Sequence, residues 1–217
     1  MEIELKYKVP TPEIADDIWK DKLFCSVEED DSREEMCFLA KYFDTPDCDL
    51  AKNDIAYRVR KEGSKLVAAL KWAGRSEGAL HTRQELNVPV CDEKPDPAVF
   101  RESDVGQDLL NIIGDKPVYS MMEMRFHRRR FRIDTGTGIF EMSVDEGVIV
   151  TPYGEEPISE VELELFSGEQ EELEKLGKKL CDEYKLEKEE KSKYARGIKM
   201  LKENRLSKKA EEDAAGA

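Results

Sequence analysis

The sequence predicts an α+β fold built on an antiparallel β-sheet, and three patterns carry that prediction. Several short segments alternate charged and apolar residues with period two, as in EIELKY, AYRVRK and VELELF, the pattern of strands whose two faces meet different surroundings. They follow one another at short intervals across turn signals such as the Gly63-Ser64 step, and close spacing of this kind implies antiparallel hairpins. A few stretches switch to helical spacing, clearest at Leu173, Leu176 and Leu180 behind a Ser-Gly start.

In chain order, MEIELKYKV is a strand. TPEIADDIWKDKLF has a Thr-Pro start, acidic first turns and apolar Ile14, Ile18 and Phe24, which predicts one amphipathic helix. A charged loop, EEDDSREE, leads to CFLAKYFDTPDCDL, a strand stopped by Asp-Thr-Pro because the residue before a proline is pushed out of helix. DIAYRVRKEG, KLVAALKW and LHTRQELNVPV are strands. A helical interruption follows, with Leu109, Leu110, Ile112 and Ile113 as its buried end. Strands resume at VYSMMEMRFHRRRFRI, GIFEMSVDEGVIV and ISEVELELF, then come the Leu173 helix and a last helix in KSKYARGIKML. Bulky apolar residues stop after Leu206, so one domain is expected over 1–202 and a flexible tail over 203–217.

Composition narrows the class. The 217 residues suffice for one sizeable core. A formal charge of −14 argues against a positively charged nucleic-acid coat. The five cysteines are scattered without CxxC spacing, so free thiols are expected rather than disulfides or zinc. No charged-then-apolar leader and no bilayer-length apolar run is visible, so a cytoplasmic location is expected and no membrane partner. Two histidines are too few for a histidine metal site, and any metal would be held by carboxylates.

Sorting the strands by parity sharpens this. Glu2, Glu4 and Lys6 oppose Ile3, Leu5 and Tyr7; Glu160, Glu162 and Glu164 oppose Val161, Leu163 and Leu165; Glu141, Ser143 and Asp145 oppose Phe140, Met142 and Val144. Arg58 and Arg60 share a face, as do His81, Arg83 and Glu85, and Lys71 stands out of LVAALKW. An ordinary sheet with one face in water accounts for any single strand. It accounts less well for the set, because Glu160, Glu162 and Glu164 place like charges roughly 7 Å apart along one strand, and exposed sheets favour mixed signs. Segregated acidic and basic rows make sense if a divalent cation neutralises one and a polyanion the other. Mg²⁺ takes oxygen ligands and is shared between carboxylates and substrate phosphates, while arginine forks suit phosphate oxygens.

These residues resemble the CYTH superfamily, the triphosphate tunnel metalloenzymes. The likeness runs from Met1 to about Leu201: EIELK for the ExExK first strand, YFDTPDCDL followed by AYRVR, then LKW, TRQEL, SVDEG, VELEL and SKYARG in order. LHTRQEL, ELELFSG and SKYARG look like the versions in the bacterial inorganic triphosphatase branch, many members of which carry a further helical domain. The resemblance implies an eight-stranded antiparallel β-barrel, a tunnel with a charged lumen and helices packed outside. It implies metal ligands at Glu2, Glu4, Glu162 and Glu164, with Glu85 and Asp145 supporting a second metal or its water, and hence two Mg²⁺ or Mn²⁺ ions. Lys6, Arg58, Arg60, Lys71, Arg83 and Lys193 would hold phosphates. In MEMRFHRRRFRI the alternation breaks down; Arg125 aligns best with the basic position, and Arg128 and Arg130 are alternatives.

The expected function is therefore metal-dependent hydrolysis of the terminal phosphate of inorganic triphosphate, with Glu2, Glu4, Lys6, Glu85 and Asp145 in catalytic roles. Thiamine triphosphate, a nucleoside triphosphate, ATP cyclisation or a non-catalytic polyphosphate-binding module are the alternatives. No aromatic clamp for an organic ring is visible, which favours the inorganic substrate. Glu160 reads as a solvated strand end, Arg196 as a residue that fixes the last helix, His81 as a hydrogen-bonding lumen residue, and Trp19 and Trp72 as packing.

Overall fold

The computed structural model describes residues 1–215, with side chains described through Asn204. Eight strands close into an antiparallel barrel: β1 (Glu2–Lys8), β2 (Glu34–Asp44), β3 (Ile55–Glu62), β4 (Lys65–Glu77), β5 (Leu80–Pro89), β6 (Tyr119–Asp134), β7 (Ile139–Thr151) and β8 (Gly154–Ser167). Their spatial order is β5-β4-β3-β2-β6-β7-β8-β1, and β1 pairs back onto β5 to complete the ring. Most neighbours are hairpins, as their spacing predicts; Gly63 at φ 58° and Gly78 at φ 60° supply the left-handed backbone that turns β3 into β4 and β4 into β5. The β2–β6, β1–β8 and β1–β5 pairings join segments distant in sequence. A two-residue β9 (Glu187–Lys188) adds to β1 at Tyr7 and Lys8, and no sequence signal marked it.

The helices are α1 (Pro12–Trp19), α2 (Lys22–Cys25), α3 (Asp49–Lys52), α4 (Asp104–Ile113), α5 (Gln170–Tyr184) and α6 (Lys193–Ala215). The single helix expected from Thr11 to Phe24 is two, because the Asp21 carboxylate accepts hydrogen bonds from the Leu23 and Phe24 amides at 2.8 and 3.2 Å and starts a new helix. The Asp-Thr-Pro turn has a similar physical cause. Buried Asp44 accepts from the amides of Thr45, Leu50 and Ala51 at 2.7 to 3.0 Å and ties α3 to the end of β2. Helical backbone to Ala215 covers most of the expected tail; the rest of that expectation lies outside the described residues.

The apolar faces of β1, β6, β7 and β8 pack outward against α1 and α5, where Leu173, Leu176 and Leu180 are buried. Those of β3 and β4 pack under α4, against Leu109 and Ile113. A third cluster departs from the expectation of a wholly charged lumen. Phe38, Ala40, Tyr42, Ala56, Met122, Met124, Phe126, Ile149 and Ile158 share the strand faces that carry the charges, and Tyr194, Ile198 and Met200 of α6 pack against them. One end of the tunnel is therefore apolar and covered by a helix.

Seating α5 on β1 depends on Gly177, where an added Cβ would lie 2.3 Å from Leu5 Cδ1 and 2.5 Å from the Tyr7 hydroxyl. Gly177→Leu is expected to cost roughly 1–3 kcal/mol through overpacking, read as a lower urea midpoint. An unchanged midpoint would show that α5 is not held against the strand that carries Glu2, Glu4 and Lys6.

Candidate active site

Lumen positions come from strand parity combined with register. Glu4 of β1 lies opposite Glu164 of β8, which lies opposite Glu141 of β7, so three acidic residues stand side by side on three adjacent strands. The next row is Lys6, Glu162 and Ser143, and the third contains Glu160 and Asp145 with Arg128 of β6. Across the lumen, β3 contributes Arg58 and Arg60, β4 Lys71, and β5 Arg83 and Glu85. Together with Arg130 and Phe126 they surround a cavity of about 310 Å³, at the small end of ligand pockets.

The ion pairs sort into three neighbourhoods. Around β1, Lys71 Nζ lies 3.0 Å from Glu2 Oε1, Arg83 Nε 2.5 Å from Glu2 Oε2, and Arg83 donates to Glu4 at 2.6 Å. Lys6 bridges Glu4, at 2.9 Å, and Glu162. Burial opposes ionisation of Glu2, yet Lys71 and Arg83 hold its carboxyl below the usual range. Deeper in the lumen, Asp145, Glu160 and Glu162 offer carboxylate oxygens all within 4.8 Å of one another, a spacing a metal ion can use. Lys193 Nζ contacts all three, with Asp145 at 2.6 Å and Glu162 at 2.9 Å, and Arg128 grips Asp145 through two bonds of 2.7 and 2.6 Å. On the β3–β5 wall, Glu85 pairs with Arg58 at 3.2 Å and Lys71 at 3.0 Å.

Two places are left with unbalanced charge. No lysine or arginine among the described residues pairs with the Glu164 side chain, and burial, then the charges of Glu2, Glu4 and Glu141, push its carboxyl up to about 8. Opposite it, the Nε–H donors of Arg58 and Arg60 are buried without a hydrogen-bond partner. Burial, then the adjacent Arg58 charge, lowers Arg60 to about 10. One wall thus holds a glutamate without a paired cation, and the other holds unused Nε–H donors on guanidinium groups that pair with Glu85 and Glu62 through their other nitrogens. Glu2, Glu4, Glu141 and Glu164 are hard oxygen donors of the kind Mg²⁺ or Mn²⁺ takes, although among the described residues the three carboxylates already at metal-ligand spacing are Asp145, Glu160 and Glu162.

Against the sequence expectations, Glu2, Glu4, Lys6, Arg58, Arg60, Lys71, Arg83, Glu85, Glu162, Glu164 and Lys193 all line the cavity. Arg125 does not. It lies on the outer face of β6 opposite Leu39 and Val148, more than half exposed and paired with Glu123, so the lumen positions of β6 are Arg128 and Arg130. Glu85 and Asp145 are each engaged by two protein cations, Arg58 and Lys71 for one and Arg128 and Lys193 for the other, rather than standing free beside Glu164. Glu160 is buried, 1% exposed, because Lys193 and Arg196 reach it from α6; it is not a solvated strand end. Arg196 does fix that helix, through Glu160, Glu156 and the Pro157 carbonyl. His81 bonds Ser76 Oγ and the Glu189 carbonyl at 2.8 Å each, and His127 lies near Glu35 off the cavity. Glu141 gained no role from the sequence because only the register shows it beside Glu164. Aromatic rings, too, are present: Phe38 stacks on Phe126 at 5.1 Å, and Tyr42 lies 5.2 Å from Tyr194.

A barrel with carboxylates facing guanidinium groups across its lumen defines a class of proteins with a charged tunnel, and comparison with known proteins agrees. Residues 1–198 match the CYTH domain, and the chain belongs to that family. Over 133 residues, 61% of the chain, it is 32% identical to an inorganic triphosphatase of Haemophilus influenzae, and the match spans 37% of that protein's length. Solved structures share the fold, two of them as follows. One, from Hippeastrum, is described as an adenylyl cyclase candidate with a dominant triphosphatase activity, and it superposes with a TM-score of 0.67 at 19% identity over 92% of this chain and 96% of its own. The other, an adenylate cyclase candidate from Bacillus halodurans, gives 0.56 at 18% over 88% and 94%. Among the described residues no helix is long and apolar enough to cross a membrane.

Glu164 sets a pH dependence of stability. Its native carboxyl keeps a proton to about 8, whereas an unfolded glutamate releases it near about 4.3. The stabilisation is thus complete below the lower value and lost as pH rises through the upper one. Urea midpoints of the metal-free protein should fall from pH 5 to pH 9 more steeply in wild type than in Glu164→Gln, and parallel profiles would contradict the assignment.

Proposed function

We propose that the chain hydrolyses the terminal phosphate of inorganic triphosphate or a short polyphosphate with a divalent metal, and that it works in the cytoplasm, with 1–202 as the functional domain. The observation that supports this best is a pair of opposed features facing one cavity: Glu164 without a paired lysine or arginine, and the Arg58 and Arg60 Nε–H donors without a hydrogen-bond acceptor. A metal-bound polyphosphate satisfies both. The relationship to the Haemophilus inorganic triphosphatase points the same way.

Glu2, Glu4, Glu141 and Glu164 would hold the cation, which when bound supplies charge neutralisation at phosphoryl oxygens and acidifies water for in-line attack. Arg58, Arg60, Lys71, Arg83, Arg128 and Arg130 present fixed positive charge where the transferring phosphoryl oxygens gain negative charge, and the barrel holds them in place before substrate arrives. Glu85 positions Arg58 and Lys71, and the Tyr42 hydroxyl accepts from Arg58 at 3.4 Å. Lys193 donates to Glu160 and Glu162 and pairs with Asp145 at 2.6 Å, so the phosphates fall to the arginines and Lys71. A second reading, an organic triphosphate such as thiamine triphosphate or a nucleoside triphosphate, is favoured by the rings of Tyr42, Phe126 and Tyr194 that line the same cavity.

Phosphate release from triphosphate, pyrophosphate, ATP and thiamine triphosphate, each with Mg²⁺ or Mn²⁺, tests the proposal. Inorganic triphosphate should be the best substrate. Glu164→Gln and Arg60→Ala should each lower kcat by about 10²–10³-fold, the scale for removing one preorganised charge, while Arg125→Ala should match wild type. Wild-type turnover in both lumen variants, with folding intact, would overturn the reading.

A further inference from the structure

Three buried carboxylates with metal-ligand spacing sit deeper in the lumen than the Glu4, Glu164 and Glu141 row, and they suggest a second cation position. That position is filled by the protein. Lys193 Nζ lies 2.6 Å from Asp145 Oδ2 and 2.9 Å from Glu162 Oε1 and also contacts Glu160 Oε1, so one ammonium forms an ion pair with all three members and donates hydrogen bonds to Glu160 and Glu162. Each carboxylate then has a further cation: Arg128 on Asp145, Arg196 at 3.1 Å on Glu160, and Lys6 and Arg128 on Glu162. Four cations surround three carboxylates, and an ammonium has three donors and no accepting lone pair that would welcome a neighbouring metal ion.

We infer that Lys193 serves as the second cation of this site, taking the position a second divalent ion would occupy, so that each chain binds one divalent ion rather than two. The inference rests on the metal-dependent reading above and replaces the two-ion expectation. A divalent ion entering among Asp145, Glu160 and Glu162 would have to expel a buried ammonium and add its charge beside Lys6, Arg128 and Arg196, whereas an ion at Glu164 meets a carboxylate that no lysine or arginine among the described residues pairs with directly, although Lys71, Arg83 and Lys6 hold the neighbouring Glu2 and Glu4. Lys193 is also the first residue of α6, and Arg196, one turn on, grips Glu160 together with Glu156. The helix that covers the apolar end of the lumen therefore delivers this fixed cation, and the charge arrives with folding rather than from solution.

The test counts Mn²⁺ bound per folded chain without any phosphate compound, by calorimetric titration and by the loss of the free-ion electron paramagnetic resonance signal. Wild type should bind one ion and Glu164→Gln none. Lys193→Met, of similar length without the charge, should bind two, and adding Glu162→Gln to it should return the count to one. Two ions in wild type, or one in a Lys193→Met chain whose circular dichroism matches wild type, would overturn the inference. If Lys193→Met does not fold, the wild-type count alone decides between one and two. No ion in wild type would overturn the metal-dependent reading along with it, while two would leave that reading standing.

Discussion

Closing β1 onto β5 places charges inside a barrel, and most of the architecture answers the need to compensate them. An ion taken out of water loses several kcal/mol even when paired, so each lumen charge must meet an opposite one from another strand. β1 is the meeting line. Its register sets Glu2 opposite Arg83 on one side and Lys6 opposite Glu162 on the other, and β9 covers its far end. A one-residue slip of β1 would turn Leu5 and Tyr7 into the lumen and Glu4 and Lys6 into the apolar layer under α5.

Compensation is uneven, and the unevenness separates two regions. Deep in the lumen, Asp145, Glu160 and Glu162 are neutralised by Lys193, Lys6, Arg128 and Arg196, two of which come from a helix rather than from the barrel. Nearer β1, Glu164 stands without a paired lysine or arginine between Glu4 and Glu141, which have them, and the Nε–H donors of Arg58 and Arg60 have no acceptor. In the proposed reading the first region is structural, satisfied by covalently tethered groups, and the second is where diffusible ions and phosphate would complete the network. The apolar cluster under α6 covers one end of the lumen, and Phe126 and Tyr42 line part of the same cavity as the charged rows.

Much of this was legible in the residues. Alternation assigned Glu2, Glu4, Lys6, Arg58, Arg60, Arg83, Glu162 and Glu164 to one face, because strand side chains alternate whatever the strand pairs with. In β6 that logic had nothing to work on. RFHRRRF carries basic residues at both parities, and only pairing distinguishes Arg128, opposite Asp145 in the lumen, from Arg129, which is outside and bound to Asp16 of α1 at 2.6 Å. Glu160 was misread for a related reason: nothing local says that Lys193 and Arg196 come back to cover it.

The sequence by itself determined the antiparallel strands, the position of most lumen charges and the chemistry they suit, since period, turn residues and side-chain type are local properties. The tertiary structure decided which charges are already spent. Whether a glutamate stands without a paired cation or is held by a lysine depends on partners dozens of residues away, as Glu164 and Glu162 show two positions apart on the same strand. Ionic partnership acts through space, and chain distance does not encode it.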